Sequence, residues 1–185
     1  PTAVTRPPDE SPVLFTGFTL LPGTVLTFSV TGAVGHCPGC ESPTPDGGRN
    51  FGSDDRNGIA GMNGPIDSFL AVFLTDAQPD LSATPAPLDF LSLGTDFSTL
   101  APQRKHVFFV GDGLTGTASG EVQRFVMPEG APRLYLGAHD GFGGYNNVGA
   151  FEVTINGVVP EPQAYALMLA GMGLVGWLAR RRRAP

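Results

Sequence analysis

Seven short apolar runs, separated by segments rich in glycine and proline, constrain the fold of this chain more than any other feature. The runs occupy residues 13–15, 25–28, 69–74, 107–110, 125–126, 134–136 and 151–155. Most contain β-branched or aromatic residues and are flanked by Gly, Pro or Asp, which is typical of short strands. The 26 Gly and 18 Pro among 185 residues leave little room for long helices. We therefore predict an all-β fold, an antiparallel β-sandwich.

The chain divides into three segments by composition. We expect residues 1–12 to be a disordered lead-in, residues 13–157 to form the β-sandwich domain, and residues 158–185 to form a separate C-terminal segment. The middle segment has the length of an ordinary domain and can bury a core. Residues 36–65 and 76–104 show no strong periodicity and are expected to be long loops, which are often functional in a compact domain.

The C-terminal segment contains an uncharged apolar run at 164–179, which predicts a single transmembrane helix. This run would rise only about 24 Å, less than a hydrocarbon core of about 30 Å, unless flanking arginines snorkel or the bilayer thins. Positive charge is retained on the cytoplasmic side, so we expect the C-terminus inside and residues 1–157 outside. A buried core helix with a basic tail is the alternative. The arginine cluster consists of Arg180, Arg181, Arg182 and Arg183.

The order of Pro160-Glu161-Pro162, the apolar run and the arginine cluster resembles the PEP-CTERM sorting signal of bacteria that produce exopolysaccharide. The resemblance implies that a membrane-bound exosortase recognises the Pro-Glu-Pro element, cuts nearby and removes the span. We expect an exported protein, anchored in the inner membrane as a precursor and later located at the cell surface or in the extracellular matrix of a biofilm. The sequence begins at Pro1 with no methionine, basic n-region or apolar h-region, so we expect a fragment or a trimmed chain.

The charge balance argues against nucleic acid as a partner. Eleven basic residues less the four tail arginines leave 7, against 17 acidic residues, a net charge of −10 for the remainder. Such a surface repels phosphate backbones and suits a cation such as calcium.

The loop at 140–147 concentrates the oxygen donors that a hard cation requires. It carries the carboxylate of Asp140, the amide oxygens of Asn146 and Asn147, and backbone carbonyls beside three glycines. Calcium takes six to eight such oxygens at about 2.3–2.6 Å. A glycine-rich hairpin whose Asp and Asn side chains cap their own backbone is the alternative.

Several segments, in the same order, resemble the calcium-dependent galactophilic lectins of the PA-I type, which are small β-sandwiches. The segments are 22–27, 31–38, 57–59, 134–140 and 146–153, of which the last, with Asp140 before it, is the most similar. The resemblance implies that Asp140, Asn146, Asn147, a carbonyl of Gly143 or its neighbour, and the carbonyl of His36 hold Ca²⁺. In that family the ion also coordinates two sugar hydroxyls.

Two departures from the lectin pattern affect this interpretation. The gap between Asp140 and Asn146 is one residue shorter than in the lectins, so the carbonyl ligand is assigned to Gly143 or its neighbour and not to a single residue. The family has a His-Pro pair where this chain has Asp54-Asp55, so metal binding is compatible with a loss of galactose preference. We expect a glycan or exopolysaccharide to contact Asp54, Asp55, Asn57, Asp140 and Asn146.

The only two cysteines, Cys37 and Cys40, are separated by Pro-Gly and follow His36. Outside the cytoplasm we expect them to form a local disulfide that fixes a loop. Free thiols, or a metal or redox site that includes His36, are the alternatives.

Catalysis has little support in the sequence. No Gly-x-Ser-x-Gly elbow and no His-Glu-x-x-His motif occur, and acidic groups such as Asp54-Asp55 or Asp112 with Glu121 are too ordinary to indicate a glycosidase. We expect no enzyme activity but a calcium-dependent carbohydrate-binding module. A structural matrix protein whose calcium only rigidifies loops is the alternative.

Overall fold

The computed structural model describes residues 2–5, 12–141 and 146–159. These residues form fourteen strands, one short α-helix, and one 3₁₀ helix at Pro79–Leu81. The strands are β1 (Thr2–Thr5), β2 (Val13–Leu14), β3 (Val25–Gly35), β4 (Asn50–Ser53), β5 (Met62–Pro65), β6 (Phe69–Leu74), β7 (Leu88–Asp89), β8 (Thr99–Leu100), β9 (Val107–Phe109), β10 (Leu114–Gly116), β11 (Ser119–Val122), β12 (Arg124–Val126), β13 (Arg133–Ala138) and β14 (Val148–Val158); the helix is α1 (Phe90–Leu93).

Two larger sheets share one core. The first has the order β1-β14-β3-β12-β8 and the second the order β2-β13-β6-β9. Two small sheets, β4-β5-β7 and β10-β11, lie beside them. Rings from both large sheets meet in the core: Phe28 and Phe69 have centroids 6.2 Å apart, and Phe69 and Phe151 have centroids 5.4 Å apart. Aromatic pairs of this kind stabilise a core beyond the area that they bury.

The strands β6 and β14 show how the pattern of apolar residues matches the burial of a strand. Its six residues are apolar and all buried, whereas β14 alternates buried with less buried residues along most of its length. A continuous apolar run belongs in a strand covered on both faces, and alternation belongs in a strand with one covered face.

The all-β prediction is confirmed, and each of the seven apolar runs contains or overlaps a strand. Other expectations differ from the structure. The segments 36–65 and 76–104 are not plain loops, because they contain β4, β5, β7, β8, α1 and the 3₁₀ helix. Residues 2–5, expected to be disordered, form β1 and pair with β14. Two strand pairs, β12 with β8 and β5 with β7, are parallel.

The predicted transmembrane run 164–179 and the arginines that follow it lie outside the described residues. Within the described part of the chain, no helix is long and apolar enough to cross a membrane.

The long antiparallel pair of β3 and β14 defines the two ends of the domain. Its register runs from Val148 opposite Gly35 to Val158 opposite Val25. At about 3.3 Å per residue, β14 extends about 33 Å between these points. We call the end with Gly35, Ala138 and Val148 the upper end, and the end with Val25 and Val158 the lower end.

Candidate cation site

Three strand ends meet at the upper end and carry the predicted ligands. His36 directly follows β3, Asp140 lies two residues after β13, and Asn147 directly precedes β14. Because Val148 is paired with Gly35, the next residues along each chain, Asn147 and His36, both lie at this end of the pair. The structure thus brings together residues that are about one hundred positions apart in the chain.

Three side-chain oxygens at this place are buried and have no hydrogen bond to any described residue. They are Asp140 Oδ2, Asn146 Oδ1 and Asn147 Oδ1. The other carboxylate oxygen of Asp140 accepts the Gly141 N–H at 2.5 Å. Buried oxygens without partners are uncommon and costly in proteins. Carboxylate and amide oxygens are the ligands that Ca²⁺ prefers, so the chemistry of these three donors fits this ion.

Asp67 is a buried residue that links the segments at the upper end, and the sequence analysis did not identify it. Its side chain is 2 % exposed, and it accepts hydrogen bonds from His36 Nδ1 (3.0 Å) and from the Ser42 hydroxyl (3.0 Å). Its backbone N–H donates to the carbonyl of His139 at 2.7 Å. Asp67 therefore joins the end of β3 to the residue before Asp140. Only its position two residues before the fully apolar β6 sets it apart in the sequence.

His139 is the residue directly before Asp140. Its side chain is buried, and Nδ1 donates to the Pro65 carbonyl at 2.8 Å. Burial lowers the pKa of His139 below its usual value, although the Pro65 carbonyl and the charge of Asp140 oppose this shift. The Phe51 ring stands edge-on to the imidazole with centroids 5.5 Å apart, and a Cβ added to Gly141 would lie 3.2 Å from that ring.

Two of the predicted metal ligands need separate mention. The side chain of His36 is engaged with Asp67, and its predicted contribution is the backbone carbonyl, which stays a prediction. Gly143, the predicted source of a further carbonyl, lies outside the described residues.

The turn predicted to contact sugar is anchored away from the upper end. It carries Asp54, Asp55 and Asn57. Just after it, the Ala60 N–H donates to the Lys105 carbonyl (3.0 Å), and the Lys105 N–H donates to the Phe73 carbonyl (2.9 Å). Phe73 is four residues from Phe69 along β6, about 13 Å toward the lower end. Asp140 lies at the upper end, so these anchoring contacts do not bring the turn to it.

Cys37 and Cys40 are joined by a disulfide with their Cα atoms 5.2 Å apart. The Cys40 N–H donates to the Cys37 carbonyl at 3.0 Å, which closes a tight turn directly after His36. His36, Cys37 and Cys40 offer ligand-type atoms within 4.8 Å of one another, but the two sulfurs are bonded to each other. A bonded pair does not supply the thiolates that a zinc site needs.

Asp112, considered above as a glycosidase carboxylate, holds a turn. Its two carboxylate oxygens accept the backbone N–H groups of Leu114 (2.8 Å) and Ala118 (2.6 Å). This is the ordinary use of an Asp side chain in a loop.

Comparison with known proteins identifies the C-terminal segment. Residues 158–183 match the family model of the PEP-CTERM protein-sorting motif, which confirms the resemblance seen at Pro160, Glu161 and Pro162. The motif implies an exported protein, directed to the cell envelope and processed by an exosortase-type enzyme. No curated protein matches the chain.

Proposed function

We propose that the domain of this exported exosortase substrate binds Ca²⁺ through Asp140, Asn146 and Asn147, and binds a carbohydrate through the ion. The observation that carries the proposal is the group of three buried oxygens without partners at one end of the domain. Backbone carbonyls near His36 and Gly143 would add to the coordination shell. The donors are all oxygens, which is the set that calcium selects over softer metals.

The surroundings of the site support a preformed binding place. Asp67 and the Cys37–Cys40 disulfide both restrain the chain next to His36. The buried, neutral His139 adds no positive charge beside the expected cation. Preorganised ligands reduce the ordering cost of binding. When bound, calcium supplies open coordination positions that vicinal hydroxyls of a sugar occupy.

The partly exposed Phe51 is suited to contact the apolar face of a sugar. It lies next to Gly141 and therefore close to Asp140. Flat aromatic side chains bury area at a small cost in side-chain entropy. This adds a hydrophobic contact to the metal contact in the proposed function.

A structural matrix protein is the second candidate. The turn with Asp54, Asp55 and Asn57 supports this candidate, because its hydrogen bonds fasten it toward the lower end of the domain. Those three residues are the predicted sugar contacts outside the metal loop, and they are not brought to the candidate cation site. In that case calcium would only fasten the upper loops to one another.

Glycan-array binding of the full chain, with calcium and with chelator, tests the proposal. We expect binding in calcium that disappears with chelator and in Asp140→Ala, and that persists in the matched control Asp80→Ala, an exposed acid of the 3₁₀ helix. Calcium binding without a glycan signal would support the structural candidate. Glycan binding that resists chelation would contradict the metal-dependent mechanism.

A further inference from the structure

The C-terminal segment leaves the domain at the lower end. β14 ends at Val158, which is paired with Val25, and the sorting motif begins at the same residue. Only residues 159–163 separate this strand from the apolar run predicted to span the membrane. Five extended residues reach at most about 17 Å. The lower end is therefore tethered close to the bilayer as long as the segment is anchored.

Four of the eight large apolar side chains that are exposed in the described part of the chain lie at this lower end. Leu81 is 74 % exposed, Val158 67 %, Leu21 48 % and Val159 45 %. The Leu21 carbonyl accepts the Thr24 N–H directly before β3, which places Leu21 beside the end of β14. Exposed apolar groups at one end of a domain are candidates for an interaction surface.

Leu81 lies in the segment 79–83, which we call the strap and which is fastened by the side chain of Lys105. The Nζ of Lys105 donates to the carbonyls of Pro79 (3.2 Å), Ser82 (3.1 Å) and Ala83 (2.7 Å), and so fixes the 3₁₀ helix that carries Leu81. A groove of about 810 Å³ lies between this strap and the residues that follow β12. Since Val126 of β12 is paired with Val25, the strap belongs to the lower end.

We propose that the lower face, formed by Leu21, Leu81, Val158 and Val159, docks on the lipid surface while the precursor is anchored. The candidate cation site then faces away from the bilayer, about 33 Å out along β14. Burial of aliphatic side chains at the headgroup boundary provides the driving force. This inference rests on the sorting motif and the predicted span, and it does not depend on calcium.

The lower end carries charges of both signs, Arg104 and Lys105 as well as Asp80 and Glu129. The contact is therefore made by apolar side chains, and it is expected to persist when the ionic strength is raised. Docking would also keep Pro160-Glu161-Pro162 at the membrane surface, where a membrane-bound processing enzyme acts.

Fluorescence of the full chain in phosphatidylcholine vesicles tests this orientation. An environment-sensitive dye is attached to Leu81→Cys or, at the upper end, to Asn50→Cys, while the native cysteines stay in their disulfide. We expect quenching by headgroup-spin-labelled lipid and a blue shift for the dye at position 81, and neither for the dye at position 50. Equal quenching at both positions, or stronger quenching at position 50, would overturn the orientation.

A second variant separates docking from mere tethering. With the dye on Arg104→Cys, the double change Leu21→Ser and Val159→Ser is expected to abolish most of the quenching, although the tether is intact. Unchanged quenching would show that the tether alone holds this end near the bilayer. A blue shift that follows protein concentration and not the lipid quencher would mean that a second copy covers the face. Either result, or loss of quenching in high salt, would overturn the proposal.

Discussion

Replacing Asp140 by asparagine is expected to remove most of the response of this domain to calcium. The change keeps the size of the side chain and the oxygen that accepts the Gly141 N–H. It removes the only carboxylate among the three buried oxygens without partners. Because ligand charge tunes calcium affinity over several orders of magnitude, we expect a loss of about 100-fold.

The magnitude follows from linkage between binding and folding. At a calcium concentration 100 times the Kd, the wild type is stabilised by about 2.7 kcal/mol, and a 100-fold weaker variant by only about 0.4 kcal/mol. For a domain of this size, 1 kcal/mol corresponds to about 2–4 °C in Tm. The wild type should therefore gain about 5–11 °C from calcium, and Asp140→Asn about 1–2 °C.

In calcium-free buffer the two proteins should have nearly the same stability, because Asp140→Asn keeps the size of the side chain and the oxygen that accepts the Gly141 N–H. A merely damaging substitution would instead lower Tm in both buffers.

Calorimetric melting of the full chain in calcium and in chelator provides the measurement. Asp80→Asn is the matched control, because it removes the same charge from an exposed residue of the 3₁₀ helix. Identical wild-type melting curves in the two buffers would refute the metal site. Loss of the response in Asp80→Asn as well would show that general charge, and not Asp140, is responsible.

Three further predictions concern the groups around the site. Replacing Cys37 and Cys40 by serine should lower the free energy of unfolding by well below the roughly 3 kcal/mol of a disulfide that closes a 15-residue loop, because this ring is short. Urea unfolding measures the change. A larger loss would mean that the disulfide does more than close a turn. Asp67→Asn retains a residue type that tolerates the positive φ of 63° but removes the charge that accepts from His36 and Ser42. It should cost about 1.5–3 kcal/mol in urea unfolding and weaken calcium binding measured by calorimetry, and unchanged calcium affinity would limit Asp67 to a structural role. His139 has a pKa below its unfolded value of 6.5, so the unfolded chain binds more protons and stability should fall as the pH drops through and below 6.5. In chelator, His139→Gln should show a smaller fall than the wild type; an equal fall would assign the effect to other groups, such as His106, whose pKa burial also lowers.

The sequence was informative wherever the physical signal was local. The all-apolar run of β6 was located at 69–74, the bounds that the structure shows, because burial on both faces leaves no polar position in a strand. The Pro-Glu-Pro element, apolar run and arginines identified the sorting motif, since order and spacing within one segment define it. The loop at 140–147 stood out because one carboxylate, two side-chain amides and three glycines occur within eight residues.

The sequence was less informative about strands that depend on pairing with distant segments. β4 and β5 were taken for loop, because Gly and Pro in these strands are tolerated once each strand is paired with the other. Strand propensity depends on the neighbours that a strand packs against, and those neighbours are distant in sequence.

The amino-acid sequence by itself thus determined the strand-rich class, the sorting segment and the type of ligand that the upper loops can offer. Only the tertiary structure decided which of those groups meet. The register of β3 with β14 brings Asn147 and His36 to the same end of the domain, and the link between His36 and the distant Asp67 fixes the end of β3. The same register places the exit of the tail at the other end of the domain. Such juxtapositions come from hydrogen-bonded pairing and side-chain packing between remote segments, which local periodicity does not encode.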